Sequence, residues 1–376
     1  MDLTYSNLFK TIDLRKGLQL KNRVVMAPMT NFSSNPDGTV SEDEVNYYIR
    51  RSKGVGMVIT ACTNVTANGK GFPGEFAGDR DEMIPSLRKL ATAIKEQGAK
   101  AILQIFHGGR MCPPDLVPDG NIVSASAVAA DQGESTGPVP RALNEEEINY
   151  MIHAFGETTR RAIEAGFDGI EIHGANGYLI QQFFSPHSNR REDRFGGSLE
   201  KRMTFPIAVV DEVVRVVNDH AKNPFIIGYR FSPEEPSTPG ITMDDTLELI
   251  HALADKELDY LHISLMEFDS SSRRGGDDTR SRLELVLDKV QDRVPVIGVG
   301  SIQTAEDALK AMKTGVPLIA LGRQLIIDPD WVAKVKEGRE SEIETKLDLQ
   351  GQDRLIVPDP LWNKIVTSPG WFPGVE

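Results

Sequence analysis

The segment EIHGANGYL sets three polar side chains, His173, Asn176 and Tyr178, close together in a glycine-punctuated stretch that follows an apolar run. His173 and Asn176 are three apart, so on a helical or tight-turn backbone they face the same way. As a pair they can donate to a carbonyl oxygen and polarise its conjugated double bond, as an oxyanion site does. Tyr178 follows with a phenolic proton for the carbon that would otherwise carry negative charge. The plainer reading is a capped strand end for the first two and an ordinary packed tyrosine for the third.

The elements that position this trio follow from periodicity. Apolar runs at 24–27, 55–59, 101–106, 167–172, 224–231, 258–264, 294–299 and 318–321 read as strands covered on both faces. Helical spacing separates them, at about 41–52, 83–96, 144–166, 199–217, 243–256, 280–290 and 304–314, with a last helix near 329–337. Ser41 with Glu44, and Asn144 with Glu147, have capping-box spacing. Eight strands alternating with helices predict an α/β fold of the closed (β/α)8 TIM-barrel type, which leaves no sheet edge to protect. No GxGxxG follows the first strand, so the open dinucleotide-binding sheet lacks its main signature. Residues 1–337 are expected to form the barrel domain, entered through an N-terminal hairpin segment. Residues 338–376 form a tail with Trp362, Trp371 and Phe372 that would cover the barrel or reach a second subunit. Residues 112–140 show no steady period and read as a long surface excursion of the kind that usually serves function.

In a barrel, the carboxyl ends of the strands face the ligand. Here they present Pro28, Met29 and Thr30; Thr60, Ala61 and Cys62; Gln104 and His107; the trio; Arg230; His262 and Ser264; Gly298 and Gly300; Gly322 and Arg323. Carboxylates are few, so the set suits a polar heterocycle and a phosphate better than a divalent cation, and no metal site is expected. Gly298 and Gly300 in VIGVGSIQTAEDA, with Gly322 and Arg323 in LIALGRQL, would form an anion nest where this fold usually holds phosphate. Arg230 ends an otherwise apolar strand. It needs a partner in the mouth, either an electron-rich ring carbonyl or nitrogen, or the carboxylate of Glu171 or Glu234.

Composition narrows the field. A net charge of -13 disfavours nucleic acid and anionic membranes as partners. The two cysteines, Cys62 and Cys112, suggest neither a disulfide framework nor a thiolate cluster. The N-terminus lacks a signal-peptide core and no window is long enough to span a membrane, so a cytoplasmic location is the expectation.

Five motifs carry a resemblance: KNRVVMAPMT, LQIFHGGR, GFDGIEIHGANGYLIQQFFSPHSNRREDRFGGSLEKR, GVGSI and ALGRQLIIDPDW. From about Leu8 to Val335 the chain resembles the old yellow enzyme family of NADH:flavin oxidoreductases. The resemblance implies a barrel holding FMN without a covalent bond, reduced by NADH or NADPH, acting on a small-molecule substrate, and often a homo-oligomer. It implies that Pro28, Met29 and Thr30 line the reactive edge of the ring, that Ala61 contacts it, and that Gln104 and Arg230 bond its polar edges. Gly300, Gly322 and Arg323 would hold the phosphate. The family mechanism passes hydride to the β-carbon of an α,β-unsaturated carbonyl bound by His173 and Asn176, with Tyr178 protonating the α-carbon. The chain departs from some members: Thr30 stands where one branch has cysteine, Phe32 where that branch often has tyrosine, and Asn176 where several members have histidine. The iron-sulfur cysteines of the longer members are missing. Reduction of nitro compounds or other acceptors, or flavin or phospho-ligand binding without catalysis, are the alternatives.

Overall fold

Strands buried on both faces need apolar side chains at consecutive positions, and the chain supplies eight such runs. In the computed structural model, which describes residues 3–132, 135–274 and 279–376, these become β1 (Val24–Met26), β2 (Met57–Asn64), β3 (Lys100–Phe106), β4 (Gly169–Gly174), β5 (Ile226–Phe231), β6 (Tyr260–Ile263), β7 (Val296–Val299) and β8 (Leu318–Leu321). All are parallel, and β8 pairs with β1 to close the barrel. Every residue of β2, β4 and β5 is buried.

The helices between them are α1 (Glu42–Ser52), α2 (Ile84–Glu96), α3 (Glu145–Ala165), α4 (Leu179–Phe184), α5 (Leu199–His220), α6 (Met243–Ala254), α7 (Arg282–Val290) and α8 (Ala305–Lys313), followed by α9 (Arg323–Ile327) and α10 (Trp331–Glu337). Ser41 with Glu44, and Asn144 with Glu147, form full capping boxes. The tail adds two helices to the sequence expectation, Gln352–Leu355 and Asp359–Val366, and within residues 1–337 α4 and α9 are additional short helices. At six and five residues they complete too few turns to show a period.

The core has two layers. One lies between strands and helices; the other fills the barrel with Val25, Met57, Ile59, Ile102, Ile226, Tyr260 and Ile297. The N-terminal hairpin, Ile12–Asp13 paired antiparallel with Gln19–Leu20, adds Leu14, Leu18 and Leu20 to the inner layer and plugs the amino-terminal end of the barrel. Arg15 pins it there, donating to the carbonyls of Lys256 (2.7 Å) and Arg293 (2.9 Å). The opposite end is left for ligands.

The register of β2 against β3 shifts between Ile59 and Cys62, where three steps on β2 match two on β3. Such a bulge re-aims the end of a strand. Here it turns the Ala61 N–H outward to the Tyr48 hydroxyl of α1, at 2.7 Å.

The described residues of the excursion at 112–140 form 3-10 turns and two-residue strands, with Val123–Ser124 pairing Arg141–Ala142. The tail lies on the chain's own barrel: Leu347, Leu355, Leu361, Ile365 and Phe372 join the outer core. Arg51 of α1 fastens it. Its guanidinium is buried over the Tyr47 ring, 3.9 Å from the centroid, and donates to the carbonyls of Leu355 (2.6 Å) and Ile356 (3.3 Å). Burial lowers its pKa to about 10. Charged hydrogen bonds of this kind contribute about 1.5–3 kcal/mol each. Arg51→Ala is therefore expected to cost about 3–5 kcal/mol, and limited proteolysis should cut residues 338–376 before it cuts the barrel.

Candidate active site

A cleft of about 580 Å³ opens at the carboxyl ends of the strands. Among the described residues that line it, Arg230 and Arg323 are the only charged ones, in a chain whose net charge is -13. Pro28, Met29 and Thr30 form one wall, Asn176 and Tyr178 another, and Gly300, Gly322 and Arg323 one end. Phe32, Phe72 and Trp371 complete the rim. A more open hollow of about 550 Å³ lies among α6, α7 and the turn after α7, not at the strand ends.

The trio is positioned by β4 and the turn after it. His173 is 4% exposed, and its Nδ1 accepts from the Ala175 N–H at 3.3 Å. Burial first, then the neighbouring Arg230 and His262, push its pKa well below the usual histidine range. The imidazole is neutral, and with Nδ1 accepting, its single proton sits on Nε2. Asn176 (φ 57°) and Gly177 (φ 79°) are consecutive left-handed residues, a pairing that glycine and asparagine tolerate. The Ser232 hydroxyl accepts from the Asn176 N–H at 2.8 Å, and the Gln181 side chain from the Gly177 N–H at 2.9 Å.

The polarity of the Asn176 amide is fixed at a distance. Arg230 Nη2 donates to Ser264 Oγ (3.2 Å), and Ser264 Oγ lies 2.9 Å from Asn176 Oδ1. A guanidinium can only donate, so the lone hydroxyl proton of Ser264 goes to Asn176 Oδ1. Asn176 therefore keeps both Nδ2 protons for a ligand.

Tyr178 stands edge-on to three rings, His173 (5.0 Å between centroids), Phe106 (5.1 Å) and Phe72 (6.2 Å). Burial raises its pKa far above that of a free phenol. Among the described residues its hydroxyl has no hydrogen-bond partner. A protonated, unpaired phenol thus sits in a wall of the cleft.

The other sequence-predicted residues divide in two. Pro28, Met29, Thr30, Arg230, Gly300, Gly322 and Arg323 line the cleft. Ala61 and Gln104 are buried beside it, 3% and 2% exposed, and Gln104 Nε2 donates to Glu171 at 2.7 Å. His107 turns away: its Nδ1 accepts from the Gly109 N–H at 2.9 Å, and burial lowers its pKa to about 3. Neither carboxylate considered for Arg230 pairs with it among the described residues. Glu234 is taken by Arg282 (2.7 Å) and Glu171 by His262 (2.8 Å) and Gln104. Ser264 and Phe72 are cleft residues with no role expected from sequence, although the strand-end position of Ser264 pointed to one; Trp371, expected in a tail that covers the barrel or reaches a second subunit, is at the cleft rim.

These residues fit FMN. Arg230 Nε is buried without a protein acceptor, which calls for an acceptor from a ligand. At the far end, Gly300 (φ 142°) brings its backbone so close to the next loop that a Cβ would lie 2.5 Å from the Phe268 nitrogen. Among the described residues no protein oxygen accepts from the N–H of Ser301, Gly322 or Arg323. Arg323 is held beside them, donating to Ser301 Oγ (3.1 Å) and to the carbonyl of Trp371 (2.9 Å). Free N–H groups and a guanidinium at one end of a cleft suit a phosphate.

Comparison with known proteins agrees. Residues 7–342 match the NADH:flavin oxidoreductase / NADH oxidase family, Oxidored_FMN. The chain is 55% identical over 373 residues to a probable NADH-dependent flavin oxidoreductase, YqiG, of Bacillus subtilis, covering 99% of each. It is 44% identical to the NADH:fumarate oxidoreductase of Klebsiella pneumoniae, where the match covers 94% of this chain but 38% of that longer protein. The structure of morphinone reductase in complex with tetrahydroNAD superposes with a TM-score of 0.75 at 28% identity, over 89% of this chain and 91% of that one. The old yellow enzyme homologue of Zymomonas mobilis gives 0.76 at 26% identity, over 88% and 93%. With its barrel and its family match in agreement, the chain belongs to the NADH:flavin oxidoreductase family of old yellow enzyme barrels, FMN-dependent oxidoreductases that take electrons from NADH or NADPH.

Proposed function

We propose that this oxidoreductase reduces the activated C=C bond of α,β-unsaturated carbonyl or related electron-poor compounds. The observation that carries the reading is the Asn176 Nδ2–H donor and the unpaired Tyr178 hydroxyl in the cleft wall, with His173, whose proton is on Nε2, buried edge-on against the Tyr178 ring. Bound FMN supplies the hydride-transfer chemistry between nicotinamide and alkene. Its contacts would be Gln104 and Arg230 at the polar edges of the ring, Pro28, Met29, Thr30 and Ala61 along it, and Gly300, Gly322 and Arg323 at the phosphate.

The chain's own residues do the rest. The two N–H donors bind the carbonyl oxygen and stabilise the negative charge that builds there as the double bond is reduced. Tyr178 gives its proton to the α-carbon. Phe72 and Phe106 hold the phenol upright and exclude water around it. The nicotinamide donor would occupy the same cleft in turn, a use supported by the tetrahydroNAD in the morphinone reductase complex. The names of two longer relatives, NADH:fumarate and NADH:acrylate oxidoreductases, refer to electron-poor alkenes, although the chain spans only 38% and 36% of those proteins.

Anaerobic titration tests the reading. NADH or NADPH should bleach the bound flavin, and cyclohex-2-enone should restore its colour. Restoration by nitroarenes alone would favour the second reading, in which the donor pair binds a nitro group and Tyr178 is idle.

The pH dependence of reoxidation has a definite sign. His173 is shifted down, so it stays neutral below the usual histidine midpoint; Tyr178 is shifted up, so it keeps its proton beyond the usual phenol range. The rate constant for enone reduction should be flat between about pH 5.5 and 9. A midpoint near 6.5 in stopped-flow traces would contradict the neutral-imidazole assignment.

A further inference from the structure

Behind the cleft, strands β3 to β6 bring Gln104, Glu171, Arg230 and His262 into adjacent register, with Glu171 opposite Gln104 and Arg230 opposite His262. Glu171 and His262 are 0% exposed. One Glu171 oxygen accepts from Gln104 Nε2 at 2.7 Å, the other from His262 Nδ1 at 2.8 Å. A carboxylate only accepts, so Gln104 must turn its NH2 toward Glu171 and its carbonyl oxygen the other way. That direction suits the imide N–H on the pyrimidine side of a flavin. Burial alone would raise the Glu171 pKa, yet His262 and Arg230, with the Gln104 bond, outweigh it and hold the group below the usual carboxylate range. Glu171 is therefore held as a carboxylate near Arg230, behind a cleft that has no carboxylate among its described lining residues.

We propose that Glu171 is a positioning residue that acts on the cofactor through Gln104 and Arg230. It fixes which end of the Gln104 amide meets the ring, and it offsets the Arg230 charge so that reduced FMN is held less tightly than Arg230 alone would hold it. The inference rests on FMN binding and on the placement of Gln104 and Arg230 proposed above, not on the alkene chemistry.

The test is the redox potential of the FMN holoenzyme. Glu171→Gln removes the charge while keeping the shape, and leaves Arg230 uncompensated. The midpoint potential should rise by about 30 mV, which for a two-electron couple is a tenfold gain in the affinity of reduced over oxidised FMN. A folded Glu171→Gln protein that binds FMN with the wild-type potential overturns the proposal, because a merely structural role would lower the melting temperature without moving the potential. If that variant does not fold, the swap Gln104→Glu with Glu171→Gln keeps an amide-carboxylate hydrogen bond and the net charge but presents the carboxylate to the ring. It should bind FMN at least about 100-fold more weakly. FMN affinity within about threefold of wild type in the swapped protein also overturns the proposal. Failure of cyclohex-2-enone to reoxidise the wild-type enzyme would sink the alkene reading and leave these outcomes interpretable.

Discussion

Tyr178→Phe is expected to slow reoxidation of the reduced enzyme by cyclohex-2-enone by about 10²–10⁴-fold, the range for loss of a general acid. Reduction by the nicotinamide should change by less than about threefold, because that half-reaction transfers no proton to carbon. The substitution removes one oxygen and leaves the edge-on contacts with His173, Phe106 and Phe72 in place. Stopped-flow traces follow the two half-reactions separately. Equal slowing of both would assign Tyr178 to packing or binding, not proton donation.

Gly300→Val is expected to weaken FMN binding by at least about 10³-fold, equivalent to roughly 4 kcal/mol. A side chain here meets backbone on the opposing loop, 2.5 Å from the Phe268 nitrogen and 2.7 Å from the Glu267 carbonyl carbon, and no flexible chain end can give way. The backbone also has φ 142°, outside the range of β-branched residues. The loop would have to move, and the Ser301 N–H with it. Gly315→Val is the control, since that glycine also has positive φ (94°) but has open space around it. Flavin fluorescence titration of the apoproteins should show strong loss for the first variant and near-normal binding for the second.

Much of this architecture was legible in the sequence because each barrel strand is apolar on successive positions; the largest shift is in the second strand, read as 55–59, which runs Met57–Asn64 and takes in Thr60, Ala61 and Cys62. The sixth strand, read as 258–264, is Tyr260–Ile263, since its last residue has already turned its side chain toward Arg230 and Asn176. The cleft residues were legible for a related reason: once the strands are known, the last residues of each and those just after it are at the mouth. What the sequence hid depends on long-range pairing. Glu171 and His262 are 91 positions apart, and Asn176 and Ser264 are 88 apart. Nothing local indicates that Glu171 chooses His262 over Arg230, or that Glu234 is already committed to Arg282. The bulge in β2 was equally hidden, because it is a mismatch between two strands and not a property of either.

The hold of the C-terminal segment on Arg323 is made through the backbone carbonyl of Trp371, while the indole forms part of the cleft rim. Side-chain identity and anchoring are thereby uncoupled at this position. Arg323 is constrained in type, whereas residue 371 is constrained only in chain path. A saturation library at 371 can therefore widen or narrow the entrance for bulkier acceptors while the guanidinium keeps its tether, which makes it a natural starting point for directed evolution of substrate scope.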